Sequence, residues 1–286
     1  SGTTYDWAMP STTAVGLTGT ASGTSQSNFN ATLTNTTNAA ITANYTITAT
    51  KGSCVSSPFT LALTVTSTPY ITNRSVINAC SGALFTDTPT NGSGNIVPAG
   101  ITYSWGIPSV PTGITNQSAS GTPSPTYFSG LLSNSTNGTL TVTYTVQTYN
   151  AGCTGTSFTE TVLVNPTPVI SAKNATICSN SNFNISIPTG ADILPVGTTY
   201  TWNAPIVSGI NGLQSGTNLA VVSGTLSNTT NAPILVTYVI TPTAGGCIGS
   251  NFNAQVTINP IPIMTNMGPT QTGSGSPFNF ALGNGG

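Results

Sequence analysis

Three tryptophans recur along this chain at a nearly constant interval, and that interval limits the possible folds more than any other feature. They are Trp7, Trp105 and Trp202, so the intervals are 98 and 97 residues. Each ends the same short phrase, TYDW, TYSW or TYTW. Such a period indicates tandem copies of one unit, and a unit of about 100 residues has the size of a small domain.

The second half of each copy has the more rigid spacing. An asparagine, a tyrosine, a cysteine and a phenylalanine follow one another at distances of seven, nine and five residues. The three sets are Asn38, Tyr45, Cys54 and Phe59; Asn137, Tyr144, Cys153 and Phe158; and Asn231, Tyr238, Cys247 and Phe252. The length between the tryptophan and the asparagine varies, so the loops that tolerate insertion are predicted there.

Proline-rich phrases mark the ends of the copies. They are TSTP at 66–69, NPTP at 165–168 and NPIP at 259–262. Proline lacks an N–H and stiffens the backbone, so these phrases indicate short linkers. The predicted domains are a partial repeat at 1–69, complete repeats at 70–168 and 169–262, and the start of a fourth repeat at 263–286, with Phe278 in the place of Phe183. We therefore expect the chain to be a section of a longer array.

Alternating residues within a copy predict strands, and no segment has the 3.6-residue period of a helix. In the third repeat the predicted strands are 183–188, 198–205, 219–226, 234–242 and 252–260. About seven short strands in roughly 95 residues favour an all-β immunoglobulin-like sandwich. Its predicted core residues are Trp7, Trp105, Trp202, Tyr45, Tyr144 and Tyr238, and Tyr200 shares a face with Trp202.

The composition excludes several partners. Charged residues make up only 2% of the chain, with three Lys and Arg residues and a net charge of −1. Nucleic-acid binding depends on clustered basic side chains, so no nucleic-acid partner is predicted. No apolar run approaches the roughly 20 residues of a spanning helix, so no membrane span is predicted. Thr, Ser, Asn and Gly must form the surface.

Catalytic patterns are equally scarce. The chain has no histidine, which excludes Ser-His-Asp and Cys-His arrangements and any histidine metal site. Its carboxylates, Asp6, Asp87, Glu160 and Asp192, occupy positions that do not recur between the copies. Calcium sites need several carboxylate oxygens together, and the predicted junctions have none. The predictions are therefore no enzyme, no catalytic residue, no metal and no cofactor.

The five cysteines occupy two positions of the repeat. Cys80 and Cys178 precede the second predicted strand, which we call the early position; Cys54, Cys153 and Cys247 lie in the last hairpin, the hairpin position. Structural disulfides in an oxidising, extracellular place suit this pattern.

The pairing of these cysteines is open. The favoured pairing within repeats is Cys80–Cys153 and Cys178–Cys247, with the partner of Cys54 upstream of the chain. Pairing across the linkers would give Cys54–Cys80 and Cys153–Cys178. One objection to the favoured scheme is that the two positions lie at opposite poles of an immunoglobulin domain, whereas a bond needs Cα atoms within about 7 Å. Either the first strand departs from that order, or a cysteine joins a neighbouring domain.

A repeated Asn/Thr phrase, ATLTNTTN, GLLSNSTN or GTLSNTTN, lies between two predicted strands. Asn35, Asn134 and Asn228 in it match the N-glycosylation pattern. Asn and Thr side chains also bond their own backbone in turns. Because the phrase keeps its spacing to the core tyrosine, we interpret it as a corner between the two sheets, anchored by Leu33, Leu132 and Leu226.

Taken together, TYTW, GTLSNTTN, GGCIGSNF and TVLVNPTP resemble the PKD-like, immunoglobulin-like repeats of giant surface proteins of Bacteroidota, in particular gliding-motility adhesins of the SprB type. The resemblance covers essentially the whole chain. It implies type IX secretion, attachment at the outer membrane surface, and movement by the gliding and secretion machinery. The chain lacks the acidic turn that ordinary PKD domains have after the tryptophan, so no family binding residue can be transferred.

The leading hypothesis is a structural and adhesive section of a surface filament that contacts polysaccharide or other extracellular surfaces and neighbouring repeats. Uncharged Thr/Val edge strands could also pair laterally with other filaments. A second hypothesis is a carbohydrate-binding module, with Tyr127, Phe128 and Tyr149 facing the ligand. A third is a spacer stalk for a domain elsewhere in the protein.

Overall fold

The computed structural model describes residues 2–10, 15–19, 21–72, 74–121, 125–187, 190–263, 271 and 273–277. Every regular element in this part of the chain is a strand, so the predicted all-β class is confirmed. The chain divides into two compact units, one of residues 1–133 and 140–164, the other of residues 134–139 and 165–286. Most of the predicted fourth repeat, including Phe278, lies outside the described residues.

The first repeat, residues 1–69, lies in the first unit. Its strands are β1 (Thr3–Trp7), β2 (Leu17–Thr18), β3 (Gly23–Gln26), β4 (Thr34–Asn35), β5 (Ile41–Lys51), β6 (Cys54–Val55) and β7 (Phe59–Val65). Strand β5 is central, because β1, β6 and β7 all pair with it, and β3 pairs with β1. Alternate residues of β5, Ala43, Tyr45 and Ile47, are buried and pack in one cluster with Trp7.

The second repeat, residues 70–168, repeats this plan with two additional strands before the one that ends at the tryptophan. Its strands are β8 (Ile77–Cys80), β9 (Leu84–Asp87), β10 (Thr102–Trp105), β11 (Ile114–Thr115), β12 (Phe128–Leu131), β13 (Ser133–Asn134), β14 (Leu140–Asn150), β15 (Cys153–Thr154) and β16 (Phe158–Asn165). One sheet has the order β10-β14-β16-β8, with β15 also paired to β14, and β12 pairs with β9. The core between the sheets contains Tyr103, Trp105, Phe128 and Tyr144.

The third repeat, residues 169–262, lies in the second unit. Its strands are β17 (Lys173–Cys178), β18 (Ser181–Asn184), β19 (Thr199–Trp202), β20 (Ile210–Asn211), β21 (Gly216–Leu219), β22 (Ser223–Asn228), β23 (Ile234–Ala244), β24 (Cys247–Ile248) and β25 (Phe252–Asn259). The larger sheet has the order β17-β25-β23-β19-β21, and the smaller has the order β18-β22-β20. Strand β17 pairs in parallel with β25, whereas the other described pairings of this repeat are antiparallel.

One strand prediction for the third repeat was wrong in part, and one strand was missed. The predicted strand 219–226 is two strands, since β21 joins the larger sheet and β22 the smaller one. The chain crosses between them at residues 220–222, where Val222 is fully buried. Alternation alone cannot show which sheet each half enters. The first strand, β17, was not predicted, because KNATIC carries only weak alternation.

Each tryptophan of the first and third repeats packs across a glycine of the neighbouring strand. A Cβ atom added at Gly216 would overlap the ring of Trp202, and one at Gly23 would overlap Trp7. The indole N–H of Trp202 donates to the carbonyl of Gln214 at 3.0 Å. The glycine therefore lets the aromatic ring lie flat over the strand while its N–H stays bonded.

Candidate functional site

The Asn/Thr phrase forms a hydrogen-bonded corner, shown most completely in the third repeat. The Nδ2 group of Asn228 donates to the carbonyls of Ala232 and Ile258 at 2.8 and 2.9 Å. Its Oδ1 accepts from the backbone N–H and the hydroxyl of Thr230, both at 2.8 Å. One buried side chain thus replaces the backbone partners that the chain loses where it leaves β22.

The same bonds occur in the other two repeats. Asn35 donates to Ala39 and accepts from Thr37, and Asn134 donates to Gly138 and accepts from Thr136. All three asparagines are buried. The Nδ2 atom to which a glycan would be attached is therefore already a donor inside the fold, so the corner is part of the scaffold.

Replacing Asn228 with alanine is expected to lower the free energy of unfolding of the third repeat by about 2–3 kcal/mol, because buried carbonyls and an N–H lose their partner. Urea unfolding monitored by tryptophan fluorescence measures the change. Asn253→Ala is the matched control: Asn253 is exposed on β25, and its loss should cost less than about 0.5 kcal/mol. Equal effects of the two substitutions would show that the corner network contributes nothing.

Most of the few charged side chains form ion pairs, which the sequence analysis did not predict. In the second repeat the guanidinium of Arg74 contacts Asp87 and lies 3.2 Å from Glu160. The carboxyl group of Glu160 is fully buried in β16. Burial raises its pKa, and the hydrogen bond and charge of Arg74 oppose that rise.

The third repeat has a different pair. The ammonium group of Lys173, on β17, lies 2.5 Å from Asp192, which also accepts from the backbone N–H of Ser171 at 2.8 Å. The hydrogen bond from Lys173 lowers the pKa of Asp192 despite partial desolvation. Arg74 stands six residues before Cys80, and Lys173 stands five residues before Cys178. This similar placement of a basic residue before the early cysteine was the sequence signal for the ion pairs.

The two carboxyl groups should give opposite pH dependences. The pKa of Glu160 is raised on folding. Its contribution to stability is therefore complete at pH values below its unfolded-state pKa of about 4.3, and it is lost as the pH rises through the folded-state pKa. The pKa of Asp192 is lowered on folding. Its contribution to stability is therefore present at pH values above its unfolded-state pKa of about 3.9, and it is lost as the pH falls through the folded-state pKa.

Urea unfolding at a series of pH values between 7 and 2 tests both signs. Glu160→Gln should abolish the loss of stability that accompanies rising pH above about 4. Asp192→Asn should abolish the loss that accompanies falling pH below that value. A wild-type profile that neither substitution alters would contradict the assignment.

The three aromatic residues proposed to face a ligand do not form one platform. Phe128 is 0% exposed and packs against Trp105 and Tyr144, so its prediction as a ligand-facing residue was wrong. It lies on β12 with its ring turned into the core. Tyr127 and Tyr149 are 45% and 37% exposed. Tyr149 lies on β14 of the larger sheet, and Tyr127 precedes β12 of the small β9-β12 sheet.

A polar groove lies on the outer face of the larger sheet of the third repeat. Its volume is about 400 Å³, and its lining includes Thr201, Asn203, Thr237, Thr241 and Asn251. The hydroxyl of Thr241 is 2.7 Å from the amide oxygen of Asn251. The lining offers hydroxyl and amide groups and no charge, which suits hydrogen bonding to a neutral, hydroxyl-rich ligand.

In the first unit, the last hairpin of the second repeat packs against the linker that follows the first repeat. The backbone N–H of Thr156 donates to the carbonyl of Pro69 at 3.2 Å, and the amide of Asn150 donates to the carbonyl of Ser67 at 3.0 Å. The sulfur of Cys153 lies 3.1 Å from the hydroxyl of Thr66. The hairpin cysteine is thus held next to the residue that follows β7.

The second unit contains an equivalent arrangement. A Cβ atom at Gly249 would overlap the carbonyl of Pro168, as one at Gly155 would overlap that of Pro69, so glycine permits the same close approach twice. Asn165, Gly245 and Ala244 line one cleft of about 270 Å³. The last hairpin of the third repeat therefore lies beside the linker residues Asn165 and Pro168.

The cysteine states correct the favoured disulfide scheme. Cys80 and Cys247 are disulfide-bonded, whereas Cys54, Cys153 and Cys178 are free thiols. Cys80–Cys153 and Cys178–Cys247 are therefore not formed, and neither are the bonds across the linkers. The strand order of the third repeat gives the physical reason. Cys178, the early cysteine, pairs with the last residue of β25. Cys247, the hairpin cysteine, pairs with the far end of β23 and so lies at the opposite pole of the repeat.

The predicted core residues are all buried: Trp7, Trp105, Trp202, Tyr45, Tyr144 and Tyr238. Within the described residues, no group of three or more His, Cys, Asp or Glu side chains is placed to hold a metal ion. The same part of the chain contains no helix long and apolar enough to cross a membrane.

Comparison with known proteins gives one family. The model of the PKD-like domain matches the chain three times, over residues 1–69, 76–168 and 175–262. No curated protein matches the chain in sequence. Among solved structures, the FN1-FN3 domains of chicken CNTN1 align at 9% identity and a TM-score of 0.35, covering 91% of this chain and 90% of that one. Sidekick-1 immunoglobulin domains 1-4 align at 11% identity and a TM-score of 0.23, covering 92% and 68%.

Proposed function

The chain belongs to the PKD-like domain family over three tandem matches, and from that premise we propose that it is a structural and adhesive repeat region of an extracellular filament. PKD-like and immunoglobulin-like domains are typical of extracellular proteins, and repeats of this kind are typically non-catalytic. Tandem domains that contact mainly their neighbours act as mechanical elements.

The observation that carries this proposal is the repeated packing of a last hairpin against the preceding linker. In the first unit Thr156 and Asn150 bond to the carbonyls of Pro69 and Ser67. In the second unit Gly249 lies against the carbonyl of Pro168. Within each unit, therefore, a last hairpin packs against a proline-containing linker, as expected for repeats that contact their neighbours along the chain.

The surface supports the adhesive part of the proposal. Only 2% of the residues are charged, so the exposed strands present Thr, Ser and Asn groups that can both donate and accept hydrogen bonds. Such a surface suits polysaccharide and hydrated abiotic surfaces. The resemblance of the repeat phrases to gliding-motility adhesins extends the proposal to type IX secretion and display at the outer membrane surface, where the gliding machinery would move the protein.

A bead-retention assay tests adhesion directly. Beads coated with this chain should be retained on agarose and on glass several-fold more than beads coated with albumin, and prior unfolding of the chain should abolish the difference. Retention equal to that of albumin on every surface would overturn the adhesive role. Antibodies against the chain should label intact cells of the source organism; labelling only after lysis would overturn surface display.

A discrete carbohydrate site is the second candidate, favoured by the groove of the third repeat and by the exposure of Tyr149. A glycan array separates the two locations. Tyr149→Ala should abolish binding if the aromatic residue carries it, and Thr237→Val if the groove does. Tyr70→Ala is the matched control, because Tyr70 is similarly exposed. The sequence of the full-length protein tests the third candidate, a spacer stalk, which requires a catalytic or binding domain at one end.

A further inference from the structure

The asparagine corner of the second repeat ends in a residue pair that the other two corners do not have. Asn137 is followed by Gly138, whereas Asn38 and Asn231 are each followed by alanine. Both Asn137 and Gly138 are exposed. An asparagine that precedes glycine can react with its own backbone, because no Cβ atom on the following residue hinders the approach of its nitrogen to the side-chain amide.

The attacking group in that reaction is the backbone nitrogen of Gly138, and its N–H is not hydrogen-bonded. In the first and third repeats the equivalent N–H groups, those of Ala39 and Ala232, each lie 3.4 Å from a threonine hydroxyl. Among the described residues, the N–H of Gly138 has no acceptor. Its carbonyl accepts from Asn134 and Thr136, so the corner holds the residue in place while its nitrogen stays available.

The side-chain carbonyl of Asn137, which is the group under attack, already has a backbone donor. The N–H of Leu194 donates to the Oδ1 atom of Asn137 at 2.7 Å, and both residues belong to the second compact unit. When the nitrogen of Gly138 adds to the amide carbon, negative charge develops on this oxygen. A fixed donor at about 2.7–3.1 Å stabilises such an oxyanion. A free nucleophile and a donor for the developing charge thus meet at one residue.

The other two Asn-Gly pairs in the described residues each lack one of these features. The amide oxygen of Asn91 has a backbone donor at 3.1 Å, but the N–H of Gly92 donates to the carbonyl of Asn95. Asn211 lies on the paired strand β20, and the ψ angle of extended backbone turns the next nitrogen away from the side chain. We therefore expect the fold to protect these two asparagines.

We propose that Asn137 is a site of spontaneous deamidation in the folded protein, where a neutral corner acquires a negative charge. The backbone nitrogen of Gly138 loses its proton and bonds to the side-chain carbon of Asn137, and the amide group leaves as ammonia. Water then opens the cyclic imide by breaking one of its two carbon–nitrogen bonds, which gives aspartate or isoaspartate. The reaction consumes one water molecule and needs no oxidant, and it is independent of any adhesive role.

Both products change the surroundings of the corner. Asn137 and Val196 line a cleft of about 270 Å³ that has no charged side chain in its lining, and deamidation places a carboxylate there. Isoaspartate also adds one methylene group to the backbone between the corner and Tyr144, a spacing that is constant in the three repeats. The modification would distinguish older molecules from newer ones on a surface that carries very little charge.

Peptide mapping of aged protein tests the site. The intact chain is incubated at mildly alkaline pH and then digested with pepsin in acid, where the reaction stops. Mass spectrometry detects the replacement of an amide by a carboxylate, and chromatography separates isoaspartate from aspartate. Asn137 should convert at least tenfold faster than Asn38 and Asn231, its counterparts in the other corners. Equal rates at the three corners, or faster conversion at Asn91 or Asn211 than at Asn137, would overturn the proposal.

Gly138→Ala is the matched variant, because alanine stands at this place in the other two corners. It should slow the conversion of Asn137 at least tenfold and leave Asn91 unchanged. Unfolding in urea separates the effect of the fold from that of the sequence. In urea the three Asn-Gly pairs should react at similar rates, whereas in the folded chain only Asn137 should stay reactive. A folded chain in which Asn137 is as protected as Asn211 would contradict the role given to the corner.

Discussion

Replacing Arg74 with methionine is expected to lower the free energy of unfolding of the second repeat by about 3–5 kcal/mol at neutral pH. The substitution keeps a similar volume but leaves the buried carboxylate of Glu160 without its cation. An unpaired charge in a buried site costs far more than a lost surface ion pair. Denaturant unfolding gives the magnitude, and hydrogen exchange of peptides from residues 70–168 assigns it to this repeat.

The double variant Arg74→Met/Glu160→Met should recover most of the lost stability, because an apolar pair of similar volume replaces the buried ion pair. The loss in Arg74→Met should also shrink near pH 4, where protonation removes the charge of Glu160. Lys51→Met is the matched control, since Lys51 is exposed and should change stability by less than about 0.5 kcal/mol. If Arg74→Met behaved like Lys51→Met, the buried pair would have no stabilising role.

Much of the fold could be predicted because its determinants are local. Alternation in β23 places Val236, Tyr238 and Ile240 on one face, and all three are buried. The recurring phrase around Asn228 forms a corner because most of its partners lie within four residues; the exception is Ile258 on β25. Strand β17 escaped prediction because its position is set by its pairing with β25, about 80 residues away.

The site predictions failed where a side chain had two possible directions. Phe128 and Tyr127 are adjacent, so one of them had to face inward; β12 turns Phe128 into the core against Trp105. Alternation of the neighbouring residues in the sequence does not decide that choice. The ion pair of Arg74 with Glu160 joins residues 86 positions apart, which no sequence pattern connects.

The sequence by itself determined that this is a tandem array of all-β domains, with one tryptophan, one core tyrosine and one asparagine corner in each. Those properties depend on periodicity and on contacts within a few residues. Only the tertiary structure decided which cysteines are bonded and which charges are paired. The reason is that parallel pairing of the first strand with the last carries the early cysteine to one pole of the repeat, while the hairpin holds the other cysteine at the opposite pole.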